Sequence, residues 1–163
     1  MTPPARRGPR DAWHLVSGEY PPGGGGVGEY TRLLARALAE AGREVHVWAP
    51  AAGDGDEGPG VRVHAVPGFG RAGGARLDAG LDAFVPPRRI LVQYAPQAFG
   101  MRGMNVAFCR RVLARARGGD EVRVLFHEPF VPFGWPLRRN LLALANRWMA
   151  SLLLRAGTAA NPS

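Results

Sequence analysis

The sequence feature that most restricts the possible folds of this chain is a strand–loop–helix–strand unit in residues 14–50, HLVSGEYPPGGGGVGEYTRLLARALAEAGREVHVWAP. The short apolar run Ala12–Ser17 stands before a glycine- and proline-rich segment and predicts a buried strand. From Val27, apolar residues recur at helical spacing until Gly42 supplies a stop, and Glu44–Pro50 predicts a second strand. Strands joined through a helix lie parallel with a right-handed crossover, so this unit predicts a parallel sheet.

The rest of the chain repeats this alternation of strands and helices. Further strands are predicted at 61–66, 89–96 and 121–129, a weak helix at 75–84, and helices at 103–117 and 137–155. We therefore expect a doubly wound, Rossmann-like α/β domain over 12–157, with helices on both faces of a parallel sheet and short tails at 1–11 and 158–163. Ligands of such sheets bind beyond the carboxyl ends of the strands.

Composition limits the classes of protein that fit. The 163 residues, 46% of them hydrophobic, suit one globular domain, and the single cysteine, Cys109, is expected in the core because it has no disulfide partner. There is no signal-peptide pattern and no apolar run long enough to span a bilayer, so a cytoplasmic protein is expected. The net charge of +8 comes from arginine alone and is explained most simply by a GC-rich gene; a basic face for an anionic surface is the alternative. No nucleic-acid-binding module is recognisable, so no nucleic-acid partner is expected.

The glycine run PPGGGGVGEY lies where a strand passes into a helix, a geometry that binds phosphate. A Walker A loop requires a lysine, and the chain has none. The dinucleotide pattern G-x-G-x-x-G matches Gly23, Gly25 and Gly28, but Gly18–Pro22 separates it from the strand. Strand two also ends in Ala49–Pro50 rather than in the acidic residue that holds a ribose. A dinucleotide site is therefore disfavoured, and a flexible linker without ligand stays open.

Three segments in order carry a family resemblance. PPGGGGVGEY with GREVHVWAP, then ILVQYAPQAFG, then VLFHEPFVPFG resemble the N-terminal domain of GT-B fold, family-4-like retaining glycosyltransferases. Arg43 stands where that family usually has histidine, and the likeness covers most of Trp13–Gly157. It implies transfer of a hexose from a nucleotide-diphosphate sugar to a glycan, lipid-linked or small-molecule acceptor, with no cofactor and no metal.

The resemblance also assigns roles to residues. The diphosphate would lie against Gly25, Gly26, Val27 and Gly28, where a Cβ at Gly26 would hold it off the helix amides.

His127 and Glu128 match the catalytic end of a central strand. There His127 would hydrogen-bond a sugar hydroxyl or the departing charge, unless it merely closes the strand. Glu128 would orient His127 or an acceptor hydroxyl, or cap backbone amides. Tyr94 and Gln97 would contact the acceptor, and the aromatic segment FVPFGWP would form an acceptor platform or a core lid. His14, His46 and His64 lack metal-type spacing and are expected to be ordinary strand residues.

Members of this family carry a second domain with an E-x7-E motif that binds the donor, and nothing in the sequence matches it. The expectation is therefore an acceptor-side half that is inactive without a separate donor-binding domain. The alternative is a non-catalytic α/β module that docks on an anionic membrane surface, at its inner face, or on a partner protein.

Overall fold

Six strands and four helices make up the computed structural model, which describes residues 12–23, 25–50, 54–127 and 137–159. The strands are β1 (Ala12–Ser17), β2 (Glu44–Ala49), β3 (Gly55–Gly58), β4 (Val61–Ala65), β5 (Arg89–Tyr94) and β6 (Glu121–Phe126). The helices are α1 (Gly26–Glu40), α2 (Arg71–Asp82), α3 (Val106–Arg117) and α4 (Leu137–Ala159). Apart from β3, which the sequence does not predict, these elements follow one another in the predicted order.

The strands form one sheet in the order β3-β4-β2-β1-β5-β6. Every neighbouring pair is parallel except β3 with β4, so the predicted parallel sheet is confirmed and carries one antiparallel edge strand. The chain leaves β1 towards β2 on one side and later returns to β5 on the other. The order of strands therefore reverses between β1 and β5, which is the topological switch point of a Rossmann-like sheet.

Both faces of the sheet are covered, because alternate residues of each strand point to opposite sides. Leu15, Val45 and Val47 pack under α1 with its residue Ala35. The other face, which includes Val16 and Trp48, packs against α2, α3 and α4. Helices on both faces therefore bury the sheet, as the apolar strands require.

The helix ends have local causes. Gly42 has a φ of +78° after α1, and the Arg43 N–H donates to the Leu38 carbonyl at 3.0 Å, which closes the last turn. Asn105 caps α3 by accepting from the Phe108 N–H at 3.1 Å. Short 3-10 turns at Pro96–Phe99 and Met101–Gly103 precede that cap, so α3 begins three residues later than the pattern predicts.

Other parts of the fold also differ from the sequence prediction. Strand β3 lies in a glycine- and aspartate-rich segment that lacks a strand pattern; it forms because β4 offers it an edge. Helix α2 begins at Arg71, through glycines that the prediction excluded, because Gly73 packs directly on the Gly68 carbonyl. Strand β6 ends at Phe126, and α4 continues to Ala159, two residues into the predicted tail.

Candidate functional site

The glycine loop after β1 lies at the switch point and packs against the turn after β5. A Cβ added to Gly18 would lie 2.5 Å from the Ala98 carbonyl carbon, so the two loops touch through backbone. The loop thus faces the crevice in which open α/β sheets bind their ligands.

The N-terminus of α1 opens into this crevice without a side-chain cap. Gly25 is the N-cap residue, with a φ of +147°, and its carbonyl accepts from the Glu29 N–H at 3.2 Å. The N–H groups of the first helical turn have no acceptor within the helix, and the helix dipole makes this end positive. This geometry suits an anion.

The glycines at the start of α1 differ in whether the atoms around them leave room for a side chain. A side chain on Gly25 would collide with the Glu19 carboxylate, and one on Gly28 would lie 3.1 Å from the Tyr20 backbone nitrogen. Gly28 is therefore a packing glycine. Among the described residues, a Cβ on Gly26 would meet nothing within 4 Å, so the packing of that part of the chain does not require a glycine there.

A buried polar group lies beneath the first turns of α1. Ser17 and Thr31 are fully buried; the Ser17 hydroxyl donates to the Glu19 carbonyl at 2.7 Å, and the Thr31 hydroxyl donates to the Val27 carbonyl at 2.7 Å. The two hydroxyl oxygens are 3.3 Å apart. These bonds fix the base of the glycine loop to the helix that follows it.

His127 completes the group from the neighbouring strand. Its Nε2 is 2.7 Å from Oε1 of Gln93, which is fully buried opposite Ser17 in β5. Its ring makes an edge-to-face contact with Tyr30 of α1, with ring centroids 5.5 Å apart. We call Ser17, Thr31, Gln93, His127 and Tyr30 the switch-point cluster.

Of the residues that the sequence singled out, the structure brings together the α1 N-terminus (Gly25, Gly26, Val27) and His127, with Tyr30 linking them. Gln97 is exposed beside Gly103 in the turn after β5. Glu128 and the aromatic segment that follows it lie outside the described residues, so their roles stay predictions.

Tyr94 lies elsewhere, in the core on the α3 side of the sheet. It is 2% exposed, its hydroxyl is 3.9 Å from the Cys109 sulfur, and burial raises the pKa of its phenol. Burial also raises the pKa of the Cys109 thiol to about 11, which confirms that cysteine as an inert core residue. The placement of Tyr94 corresponds to packing and leaves it no surface for an acceptor.

Sequence reasoning missed Gln93. The available signal was its position in the strand sequence RILVQY, where one amide interrupts an otherwise apolar central stretch. Buried amides in strands require partners, so such a residue marks a polar contact that crosses elements.

A second polar group, which we call the histidine cluster, lies on the opposite face of the sheet. The rings of His14, His46 and His64 follow one another across three strands, with centroids 5.3 and 5.1 Å apart. His46 Nε2 is 3.0 Å from the Glu44 carboxylate and its Nδ1 is 2.8 Å from His64 Nε2. The Trp48 indole N–H points at His14 Nδ1, 3.3 Å away. His14 and His46 are thus packed strand residues, as expected.

The environment keeps these histidines neutral. Burial, reinforced by the neighbouring rings, lowers the pKa of His14 to about 3 and that of His64 to about 4. Burial also lowers the pKa of His46, although Glu44 opposes the shift. Within the described ranges no three His, Cys, Asp or Glu side chains are placed to hold a metal.

Arginines of α3 form ion pairs with carboxylates of neighbouring elements. Arg111 pairs with Asp78 of α2, and Arg115 donates to Asp78 at 2.9 Å and to Asp82 at 2.7 Å. Asp120, which is buried, accepts from the side chain of Arg88 at 3.0 Å. Part of the positive charge therefore ties α2 to α3 and to the start of β5.

Comparison with protein-family models, with curated proteins and with solved structures finds no match to this chain. In the part of the chain that the structure describes, no helix has the length and apolar character needed to cross a membrane.

Proposed function

We propose that this chain is the acceptor-side domain of a retaining hexosyltransferase that uses a nucleotide-diphosphate sugar. The observation that carries the proposal is Gly26, an exposed glycine at a helix N-terminus without a side-chain cap on the switch point, which no described neighbour requires. A ligand that approaches the helix amides closely explains the missing side chain. A diphosphate has the charge and the oxygen atoms to accept from those amides.

The chemistry expected of this chain is positioning and charge stabilisation. The α1 amides would hold the diphosphate as negative charge develops on it, and His127 would hydrogen-bond the transferred sugar. A donor-binding domain, in the same or a separate polypeptide, would supply the nucleotide.

The direct test is titration of the 163-residue chain with inorganic pyrophosphate, followed by amide NMR. We expect the largest shifts at Gly26, Val27 and Gly28, and Gly26→Val should weaken binding by at least about tenfold because its side chain covers the amides. Gly70→Val is the matched control, since Gly70 precedes α2 and its added Cβ also meets nothing within 4 Å. Equal binding by Gly26→Val and the wild-type chain would refute the role of this loop.

Hexose transfer is the second test and needs a donor-binding domain joined to or mixed with this chain. Gly26→Val should then lower turnover more than Gly70→Val does. If Gly26→Val transfers hexose at the wild-type rate, the assignment of the diphosphate to this loop is refuted, even though the transfer itself is observed.

A second candidate function, docking on an anionic bilayer surface, is favoured by the outer face of α4. Leu141, Leu144 and Trp148 are 67, 55 and 52% exposed and follow one another at i, i+3 and i+7. The helix contains no acidic residue, and exposed Arg155 continues the same row. Exposed leucine and tryptophan beside arginine on a helix without carboxylates complement an anionic lipid interface.

Vesicle binding separates this candidate from the first. The chain should bind vesicles of phosphatidylglycerol more tightly than vesicles of phosphatidylcholine, less so at high salt, and Trp148→Ser with Leu144→Ser should abolish the difference. Leu33→Ser on α1, whose side chain is 59% exposed, is the control. Equal binding to both vesicles, or a concentration-dependent dimer that the same double variant disrupts, would refute membrane docking.

A further inference from the structure

Gln93 is a buried amide whose presence the fold does not explain. It lies in the middle of the sheet, fully buried, and an amide in that position is costly unless both of its ends are hydrogen-bonded. Its Oε1 is bonded to His127, whereas its Nε2 has no hydrogen-bond partner among the described residues. An apolar side chain would suit the strand better, so the contact with His127 is what the glutamine provides.

His127 is held from three sides. Its backbone N–H donates to the Tyr94 carbonyl at 3.0 Å, Gln93 contacts Nε2, and the Tyr30 ring lies against its ring from α1. These contacts fix the direction of the imidazole. Tyr30 and Gln93 are the polar side chains that the described part of the chain places against it.

The geometry points to Gln93 as the positioning residue of His127: its amide oxygen accepts the Nε2 proton of the neutral imidazole and leaves Nδ1 to meet a ligand. A neutral imidazole has one donor and one acceptor nitrogen, so occupying the donor determines what remains. Neutral His127 therefore accepts a hydrogen bond and binds a group that donates one. This inference rests on the proposed function only where it identifies that group as a sugar hydroxyl.

The wild-type chain tests the tautomer directly. Long-range proton–nitrogen NMR on histidine-labelled protein, with His127→Asn to assign the signals, should show His127 protonated on Nε2, with that proton protected from exchange with water. Gln93→Met keeps the length of the side chain, but its sulfur is a weaker hydrogen-bond acceptor than the amide oxygen. Exchange of the Nε2 proton with water should therefore become about tenfold faster, which corresponds to the free energy of one hydrogen bond. Protonation on Nδ1, or unchanged exchange in folded Gln93→Met, would overturn the inference.

A charge variant gives a second readout that packing alone does not move. In Gln93→Glu the new carboxylate faces Nε2 and should raise the midpoint pH of the His127 titration by about one unit or more. Gln97→Glu places the same charge on the exposed glutamine of the next turn and should move that midpoint much less. Equal midpoints in the two folded variants would overturn the inference; if Gln93→Glu does not fold, the wild-type tautomer decides.

These measurements involve neither pyrophosphate nor sugar transfer. If the chain shows the Nε2–H tautomer but binds no pyrophosphate, the proposed function is refuted and the role of Gln93 is supported. If the chain binds pyrophosphate but His127 is in the other tautomer, only the role of Gln93 is refuted.

Discussion

The two polar groups on opposite faces of the sheet differ in how completely the protein satisfies them. In the histidine cluster the ring nitrogens meet one another, Glu44 and Trp48, and Phe84 packs edge-on against the rings of His14 and His46. In the switch-point cluster a buried amide has one partner among the described residues, and the histidine it holds lies under an exposed tyrosine. A polar group whose members hydrogen-bond one another inside the protein stabilises the fold. A polar group at a switch point that keeps a hydrogen-bonding atom without a partner among the described residues is free to bind a ligand.

Acid should damage the histidine cluster first and with the largest effect. A histidine whose pKa is lowered in the folded state takes up its proton more readily in the unfolded chain. Its contribution to stability is therefore full above pH 6.5 and is lost as the pH falls towards the folded values of about 4 for His64 and about 3 for His14. Between pH 6.5 and pH 4, His14 alone should lower the free energy of unfolding by about 3 kcal/mol.

Urea unfolding at pH 7, 5.5 and 4 measures this loss. His14→Phe removes the titrating group and should flatten the dependence on pH. A free energy of unfolding that stays level from pH 6.5 to pH 4 would contradict the neutral, buried assignment.

Alanine at two glycines separates packing from binding. Gly80 lies directly under the Trp48 ring, so Gly80→Ala should lower the free energy of unfolding by about 2 kcal/mol through overpacking. The added methyl group of Gly26→Ala meets none of the described residues within 4 Å, so this variant should not lower it. Thermal or urea unfolding measures both; a comparable loss in Gly26→Ala would mean that the fold itself requires that glycine.

Removing each buried polar side chain sharpens the same contrast. Gln93→Met loses one hydrogen bond but also removes an amide nitrogen that has no partner in the described part of the chain, so the free energy of unfolding should change by no more than about 1 kcal/mol. His46→Met loses two hydrogen bonds, one to His64 and one to Glu44, so it should cost more. The opposite ranking, measured by urea unfolding, would show that the switch-point cluster is the one built for stability.

The smallest expected effect concerns Glu19, whose carboxylate lies against Gly25 at the mouth of the site. A negative side chain there competes with an anion for the helix N-terminus. Glu19→Gln should tighten pyrophosphate binding by about threefold, consistent with a charge–dipole energy of about 0.3–1 kcal/mol. Weaker binding by Glu19→Gln, measured by the same titration, would mean that the carboxylate helps rather than opposes the ligand.

Much of the fold could be predicted because each element carries its own periodic signal. The limits of β1 match the prediction, and α1 is displaced by one residue. Strand β3 and the first turn of α2 could not be predicted, because both form in glycine-rich segments and depend on a neighbouring edge or on close backbone packing. Local patterns do not record such neighbours.

The sequence by itself determined that a strand, a glycine loop and a helix follow one another, and hence where a parallel sheet opens to a ligand. It also singled out His127 at a strand end. Only the tertiary structure decided that Gly26, rather than Gly25 or Gly28, has room for a side chain among the described residues, and that Gln93 contacts His127, 34 residues further along the chain. Periodicity sets the face on which a side chain lies, whereas strand register and loop packing decide which residue it meets there.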